Sequence, residues 1–225
     1  MTREQFTHSL EGMELQLMEL GELAGTAVGR AVDATVHRDD ELARAVIASD
    51  DRIDDLYLSL DSGVLQLLAL QSPVAADLRL VSAILHSCLH LERIGDQAVN
   101  IAKIYLATNE LPGSDAMRQQ IREMGDLVVV MIRTAMEAFA KRDLTLCQRL
   151  PAMDDPVDRL NRGTHLEALK LADDTRALDW GLHMNLVARA LERAGDNAVD
   201  IAEQVGFLVT GEFREYTDAS HEVEL

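Results

Sequence analysis

Paired carboxylates stand at the same place in two copies of one repeated segment of this chain. The segment at 91–102 reads LERIGDQAVNIA and returns at 191–202 as LERAGDNAVDIA, with nine of twelve positions identical. Residues at i and i+4 share one face of a helix, so a glutamate and an aspartate at that spacing lie side by side. Like charges so placed repel each other, and a bound cation relieves the repulsion. The two pairs are Glu92 with Asp96, and Glu192 with Asp196.

A second acidic pair precedes each copy of the segment. In a bundle whose helices run up, down and up, the middle of the second helix lies beside the late part of the third. We therefore expect each upstream pair to meet the Glu–Asp pair that follows it. The upstream pairs are Asp50 with Asp54, and Asp154 with Asp158; one turn beyond each Glu–Asp pair, Asn100 and Asp200 extend the two patches.

The chemistry of these side chains predicts metal binding. Carboxylate and amide oxygens suit hard or borderline cations, so Mg²⁺, Mn²⁺ or iron is expected, whereas a tetrahedral Zn²⁺ site usually contains His or Cys. The alternative is a solvated acidic face, because acidic pairs arise readily in a chain with a net charge of −18. Retention of the pairs in both copies favours the metal interpretation.

The sequence around these carboxylates contains no motif that is typical of an activated nucleophile. A ferritin-like di-iron bundle has Glu-x-x-His on two helices, but here Gly95 and Gly195 follow the glutamates by three. His86 and His90 are not duplicated, and we expect them to be partly buried or on the surface. The sequence contains no Gly-rich phosphate loop, nucleophile elbow or Cys–His pattern. We therefore predict a protein that is not an enzyme.

Charge and hydropathy restrict the class of protein. Asp and Glu number 39 against 21 Lys and Arg, a balance that repels nucleic acid and anionic lipid and favours basic protein patches. No apolar run approaches the ~18 residues that a membrane-spanning helix needs, and the polar segment from Met1 does not resemble a secretory signal. Two isolated cysteines, Cys88 and Cys147, are expected to be reduced core residues. These features predict a soluble cytoplasmic protein without membrane insertion.

Helical periodicity runs through nearly the whole chain and predicts an all-α fold of six long helices. Residues of the first and second helices recur 104 positions later, and the offset falls to 100 by Leu91. The chain is therefore a duplication, and short connections make neighbouring helices antiparallel. We predict two tandem up-down-up three-helix bundles, at 1–110 and 111–212, followed by an acidic C-terminal tail at 213–225. The helices are expected near 3–37, 40–70, 74–108, 115–141, 144–172 and 176–210.

Glycine and proline mark special positions on these helices. Gly95 and Gly195 sit in mid-helix at matching positions, where we expect close contact with a neighbouring helix. Pro151 and Pro156 fall inside the fifth helix, which they are expected to kink or to delay. Because Pro156 lies between Asp154 and Asp158, it also threatens the helical spacing of that pair.

The repeated motifs LERIGDQAVNIAK and LERAGDNAVDIAE, together with SPVAADLR at the start of the third helix, resemble those of the PhoU family. The resemblance covers residues 3–210. It implies a non-enzymatic cytoplasmic adaptor that couples the phosphate-specific ABC transporter ATPase to the sensor histidine kinase of the phosphate regulon. Such an adaptor restrains phosphate uptake and signalling when phosphate is plentiful.

The resemblance also bears on metal binding and assembly. Some members of the family bind multinuclear metal clusters through Glu/Asp-x-x-x-Asp pairs. By this resemblance the pairs correspond first to Glu92/Asp96 and Glu192/Asp196, and then to Asp50/Asp54 and Asp154/Asp158. A homodimer is expected as well. Two other functions stay open: a metal-dependent enzyme or metal store built on the same carboxylates, and a helical scaffold without metal.

Overall fold

The computed structural model describes residues 3–216, and all regular secondary structure in that range is α-helical. None of its helices contains a stretch long and apolar enough to cross a membrane. Six helical segments are present as predicted, and the second of them is divided in two. The helices are α1 (Arg3–His37), α2 (Asp40–Ala48), α3 (Asp50–Gln71), α4 (Ala75–Thr108), α5 (Asp115–Lys141), α6 (Leu144–Leu169) and α7 (Thr175–Thr210).

The division of the second segment falls at Ser49. The Ser49 hydroxyl donates to the carbonyl oxygen of Val46 at 2.8 Å, and the Ser49 N–H bonds to the carbonyls of both Ala45 and Val46. A serine hydroxyl that bonds to nearby backbone competes with the regular helical ladder. The corresponding residue of the second half is Met153, which has no hydroxyl, and α6 is unbroken there.

The prolines of α6 do not delay the start of the helix, and the kink that they are expected to cause stays a prediction. The helix starts at Leu144, where the sequence places it, so the predicted delay of its start is wrong. Asp143 caps this start, since its carboxylate accepts hydrogen bonds from the backbone N–H groups of Thr145 and Leu146. The helix continues through Pro151 and Pro156, so the helical spacing of Asp154 and Asp158 is preserved.

The two halves share one hydrophobic core. Helices α1, α4, α7 and α5 form a central ring in which each contacts two others; α2 and α3 lie against α1 and α4, and α6 lies against α5 and α7. Side chains from both halves are fully buried in this core, among them Leu17, Leu91, Met124 and Leu191. The prediction that the duplicated units are separate bundles, with bounds at 1–110 and 111–212, stays a prediction.

Helices α4 and α7 cross in antiparallel directions. Near one end of the pair, Arg79 Nε donates to the carbonyl oxygen of Leu208 at 3.2 Å. Farther along, His90 Nδ1 lies 2.9 Å from Asn197 Oδ1. The middle of α4 therefore lies alongside the middle of α7, and the two repeated motifs come to similar levels along the pair.

The predicted acidic tail is described only in its first residues. The chain reverses at Gly211, whose φ of 77° is readily adopted only by glycine. The backbone N–H of Tyr216 then donates to the buried carboxylate of Glu203 at 2.6 Å, and the Tyr216 ring packs against the core. The rest of the tail, residues 217–225, lies outside the described residues.

Candidate metal-binding carboxylate clusters

The first cluster consists of Asp50, Asp54, Glu92 and Asp96. Asp50 is the first residue of α3 and Asp54 lies one turn later, while the Glu–Asp pair lies on the adjacent helix α4. Burial raises the pKa of Asp50, and the charges of Asp54 and Asp96 raise it further. Burial also raises the pKa of Glu92, together with the charges of Asp96 and Asp54. The structure thus brings the two predicted pairs within electrostatic reach of each other.

Much of the first cluster faces solvent. Asp54 and Asp96 are exposed, Asp50 and Glu92 are half-buried, and Asn100 is exposed one turn farther along α4. Lys103, on the same helix, lowers the pKa of Asp50 and so offsets part of the repulsion. Water and a nearby cation therefore stabilise the charges of this cluster without a bound metal.

The second cluster consists of Asp154, Asp158, Glu192 and Asp196, and it reaches deeper into the protein. The side chain of Asp154 is buried, with an exposed fraction of 7% for the residue. Its Oδ1 atom is buried and has no hydrogen-bond partner among residues 3–216. Burial raises the pKa of Asp154 to about 7, and the charges of Asp196, Asp158 and Glu192 contribute. A buried carboxylate without a partner is costly when ionised, and it is well suited to a cation.

Gly195 makes room for this carboxylate. A Cβ atom at Gly195 would lie 2.9 Å from Asp154 Oδ1, which is shorter than a carbon–oxygen contact allows. At the matching Gly95, a Cβ atom would lie 3.0 Å from two atoms of the Ile53 side chain. The expectation that both glycines mark close helix contacts is confirmed. The neighbour is an apolar side chain in the first half and a carboxylate in the second.

Arginines moderate the charge of two other carboxylates of the second cluster, Glu192 and Asp158. Burial raises the pKa of Asp196 to about 6, followed by the charges of Glu192, Asp158 and Asp200. Burial also raises the pKa of Glu192, although Arg189 lies 3.4 Å away and lowers it. Asp158 lies 3.6 Å from Arg162. Asp154 alone in this cluster combines full burial with an unpartnered oxygen.

Comparison with known proteins agrees with this architecture. The model of the PhoU domain matches the chain twice, at residues 17–105 and 121–205. Each match contains one copy of the carboxylate motif. The chain belongs to the PhoU family.

Relatives of this PhoU chain cover nearly its whole length. A phosphate-specific transport system accessory protein PhoU homolog from Caulobacter vibrioides is 33% identical over 212 residues, which cover 94% of this chain and 92% of the relative. The crystal structure of PhoU from Pseudomonas aeruginosa matches with a TM-score of 0.87 and 34% identity, over 92% of this chain and 100% of that one. The phosphate transport system regulatory protein PhoU from Streptococcus pneumoniae matches with a TM-score of 0.83 and 28% identity, over 93% of this chain and 99% of that one.

The fit of a metal to this PhoU chain differs between the clusters. Within residues 3–216, no group of three or more His, Cys, Asp or Glu side chains is arranged closely enough to hold a metal ion as it stands. The donor chemistry of the second cluster nevertheless suits a hard cation, because it offers carboxylate oxygens and one of them is buried without a partner. Both cysteines are buried and free, as expected, and burial raises the pKa of Cys88 to about 12. A thiolate ligand at Cys88 is therefore unavailable near neutral pH.

Sequence reasoning missed one contact beside the second cluster. His90 of α4 reaches across to α7, where its Nδ1 lies 3.3 Å from Asp200 Oδ2 as well as close to Asn197. His90 is half-buried, which agrees with the expectation for its exposure, whereas His86 is exposed. Because His90 has no counterpart in the second half, the duplication gave no signal for it.

Proposed function

We propose that this chain restrains phosphate uptake and phosphate-regulon signalling when phosphate is plentiful. In this proposal it is a non-enzymatic adaptor between the ATPase of a phosphate ABC transporter and a sensor histidine kinase. It acts in the cytoplasm as a homodimer and binds no nucleic acid.

Membership of the PhoU family is the observation that carries the proposal. The PhoU domain matches once in each half of the chain. A relative that is 33% identical carries the name of a phosphate transport accessory protein, and another that is 28% identical carries the name of a regulatory protein of that system. The net charge of −18 also favours docking onto basic patches of protein partners.

A bound Mg²⁺, Mn²⁺ or iron ion is the second part of the proposal. Asp154, Asp158, Glu192 and Asp196 would hold it in the second half, and Asp50, Asp54, Glu92 and Asp96 would hold a weaker one in the first. Such an ion supplies positive charge that neutralises clustered carboxylates. The side chains themselves fix the position of this charge on helices α6 and α7, since Gly195 allows Asp154 to lie against α7.

Metal storage or metal-dependent catalysis by the same clusters is the second candidate function. The buried, unpartnered Oδ1 atom of Asp154 supports it. The two functions differ in what the carboxylates do. A store or an enzyme needs them for its activity, whereas an adaptor keeps its docking surfaces without them.

Deletion of the gene tests the regulatory function. The deletion strain should express alkaline phosphatase and the phosphate transporter even in high phosphate, and expression of the wild-type chain should silence both. Reporter activity at high and low phosphate measures the effect. Normal repression in the deletion strain at high phosphate would contradict the proposal and leave metal storage as the better candidate.

A variant in which both Glu–Asp motifs are neutralised distinguishes the adaptor function from metal storage. In this variant Glu92 and Glu192 become Gln, and Asp96 and Asp196 become Asn. If the folded variant still silences the reporters, the motif is dispensable for signalling and the adaptor acts through other surfaces. If silencing is lost together with bound metal, the clusters take part in regulation.

A further inference from the structure

The two halves differ in one groove on their outer surface. In the second half, an open groove of about 510 Å³ runs between α5 and α6, with Leu127, Val130, Met153 and Pro156 as its apolar lining and Glu123 beside them. The exposed fraction of Val130 is 48%, so this apolar surface is accessible. The groove lies away from the carboxylate cluster, which faces α7.

An ion pair occupies the matching place in the first half. Arg52 of α3 reaches Glu19 of α1, with 2.5 Å between Arg52 Nη2 and Glu19 Oε1. At the offset of 104 that relates these helices, Glu123 corresponds to Glu19, and Pro156 corresponds to Arg52. The second half has the glutamate, but proline stands where the pairing arginine lies in the first half.

The replacement leaves an acceptor without its cation. Among residues 3–216, Glu123 is exposed and forms no ion pair. The nearest basic residue in the groove lining, Arg122, lies 2.6 Å from Asp33 of α1 and is thereby engaged. Asp126, also exposed at the rim, lies 3.9 Å from Arg122, so Glu123 is the carboxylate of the groove lining that has no ion pair among the described residues.

Proline adds a second acceptor at the same place. Because Pro156 has no N–H group, the carbonyl oxygen of Ala152 lacks the donor that a helical residue at 156 would supply. Ala152 is exposed. A guanidinium or ammonium group placed where Arg52 lies in the first half would therefore find a carboxylate and a backbone carbonyl, above an apolar floor.

We propose that this groove is a docking site for a helix of a protein partner that inserts an arginine or lysine between apolar side chains. The inserted cation pairs with Glu123, and the flanking apolar side chains cover Val130 and Met153. Such helix-in-groove binding uses an amphipathic helix with a few anchor residues. The inference deepens the proposed adaptor function by naming one of its contact surfaces, and the ATPase binding in the test rests on that function.

A synthetic peptide tests the groove without any assumption about the partner. The probe is an amphipathic 18-residue helical peptide with a leucine stripe and one central arginine. The control peptide has glutamine in place of that arginine. The arginine peptide should bind the wild-type chain about tenfold more tightly, as measured by fluorescence anisotropy. Equal affinity for the two peptides would overturn the proposal.

The duplication supplies the matched variants. Pro156→Arg should rebuild the ion pair of the first half and close the groove, and Glu123→Gln should remove the acceptor. Each should abolish the preference for the arginine peptide, whereas Glu19→Gln, the matching change in the first half, should leave it intact. Val130→Gln, at an exposed position, tests the contribution of the apolar lining and should weaken the binding of both peptides. A preference that survives Pro156→Arg in a folded chain, as judged by circular dichroism, would also overturn the proposal.

Binding to the purified transporter ATPase then separates the two proposals. If the ATPase binds the wild-type chain and Pro156→Arg weakens it about tenfold, the groove is the contact surface. If the ATPase binds both equally, the groove inference fails and the adaptor function stands. If the arginine peptide binds the groove but the ATPase does not bind the chain, the adaptor function fails and the groove serves another partner.

Discussion

The two carboxylate clusters share one motif and differ in how the protein surrounds it. Asp50 opens α3 after the interruption at Ser49, whereas Asp154 lies in the middle of the unbroken α6. At the first turn of a helix, unpaired N–H groups and the helix dipole favour a negative charge. In mid-helix that stabilisation is absent, and Asp154 is also pressed against Gly195. The comparison teaches that equal spacing of acidic residues does not give equal burial or equally raised pKa values.

Neutralising the clusters one at a time should produce the largest difference between them. Changing Glu192 to Gln and Asp196 to Asn should weaken Mn²⁺ binding about a hundredfold, because the buried Asp154 would lose the carboxylates that share its cation. The matching change of Glu92 and Asp96 should weaken total binding less, since that cluster is more exposed. Isothermal titration calorimetry measures both affinities. Equal losses would show that burial does not distinguish the sites.

The pH dependence of stability should depend more on Asp154 than on Asp50. Burial raises the pKa of Asp154 from 3.8 to about 7 in the folded chain, so the folded state holds this proton more tightly than the unfolded state. The resulting stability is fully present below about pH 4 and is lost as pH rises through about 7. In metal-free protein, Asp154→Asn should therefore add about 2 kcal/mol to the free energy of unfolding at pH 8, after allowance for solvent access, and little at pH 4.

Urea unfolding at the two pH values measures this effect, and Asp50→Asn is the matched control. The control should change the free energy of unfolding by less than about 0.5 kcal/mol at either pH, because Asp50 is only half-buried and the field of the helix N-terminus offsets part of the repulsion from Asp54 and Asp96. A change at Asp154 that is the same at pH 4 and pH 8 would argue against a buried carboxyl group with a raised pKa.

His90 contacts α7 beside the second cluster, and its replacement should change stability less than that of Asp154. Replacing it with Ala removes the contacts to Asn197 and Asp200 and should lower the free energy of unfolding by about 1 kcal/mol. The exposed His86 provides the control, and His86→Ala should have no measurable effect. Thermal or urea unfolding of both variants provides the measurement. Equal effects would mean that the contact between α4 and α7 contributes nothing specific.

The smallest effect is expected at Ser49. Ser49→Ala removes the hydroxyl that bonds to Val46 and should let α2 continue into α3. Asp50 would then lose part of the field of the helix N-terminus, worth a few tenths of a kcal/mol. Its pKa, followed by NMR of the side-chain carboxyl carbon, should rise by less than about one unit. A pKa that does not move would show that the interruption has no part in the difference between the clusters.

Periodicity and repetition were sufficient for most of the fold. The apolar stripe of each helix, the recurrence at offsets of 104 and 100, and the short connections predict six helical segments in two matching sets. The interruption at Ser49 was not predictable in this way, because a serine hydroxyl bonds either to solvent or to the backbone. Helix α6 also runs through two prolines, since its packing against α5 and α7 outweighs the intrinsic cost of proline.

The candidate site was partly predictable from helical spacing and from the order of the helices. Spacing of four residues places each acidic pair on one helix face, and the order of antiparallel helices places the upstream pair beside its partner pair. Sequence could not reveal that Asp154 is buried while the matching Asp50 is only half-buried. Burial depends on how closely two helices approach, and the approach depends on side chains from both of them.

The amino-acid sequence by itself determined the helical class, the duplication and the identity of the acidic residues on each helix face. These are local properties, because helix propensity, periodicity and side-chain charge are read along one segment. The tertiary structure decided which carboxylate is buried, that Glu19 and Arg52 form an ion pair and which groove stays open. Those outcomes arise between segments: Gly195 meets Asp154, and Glu19 meets Arg52, only after distant parts of the chain have packed together.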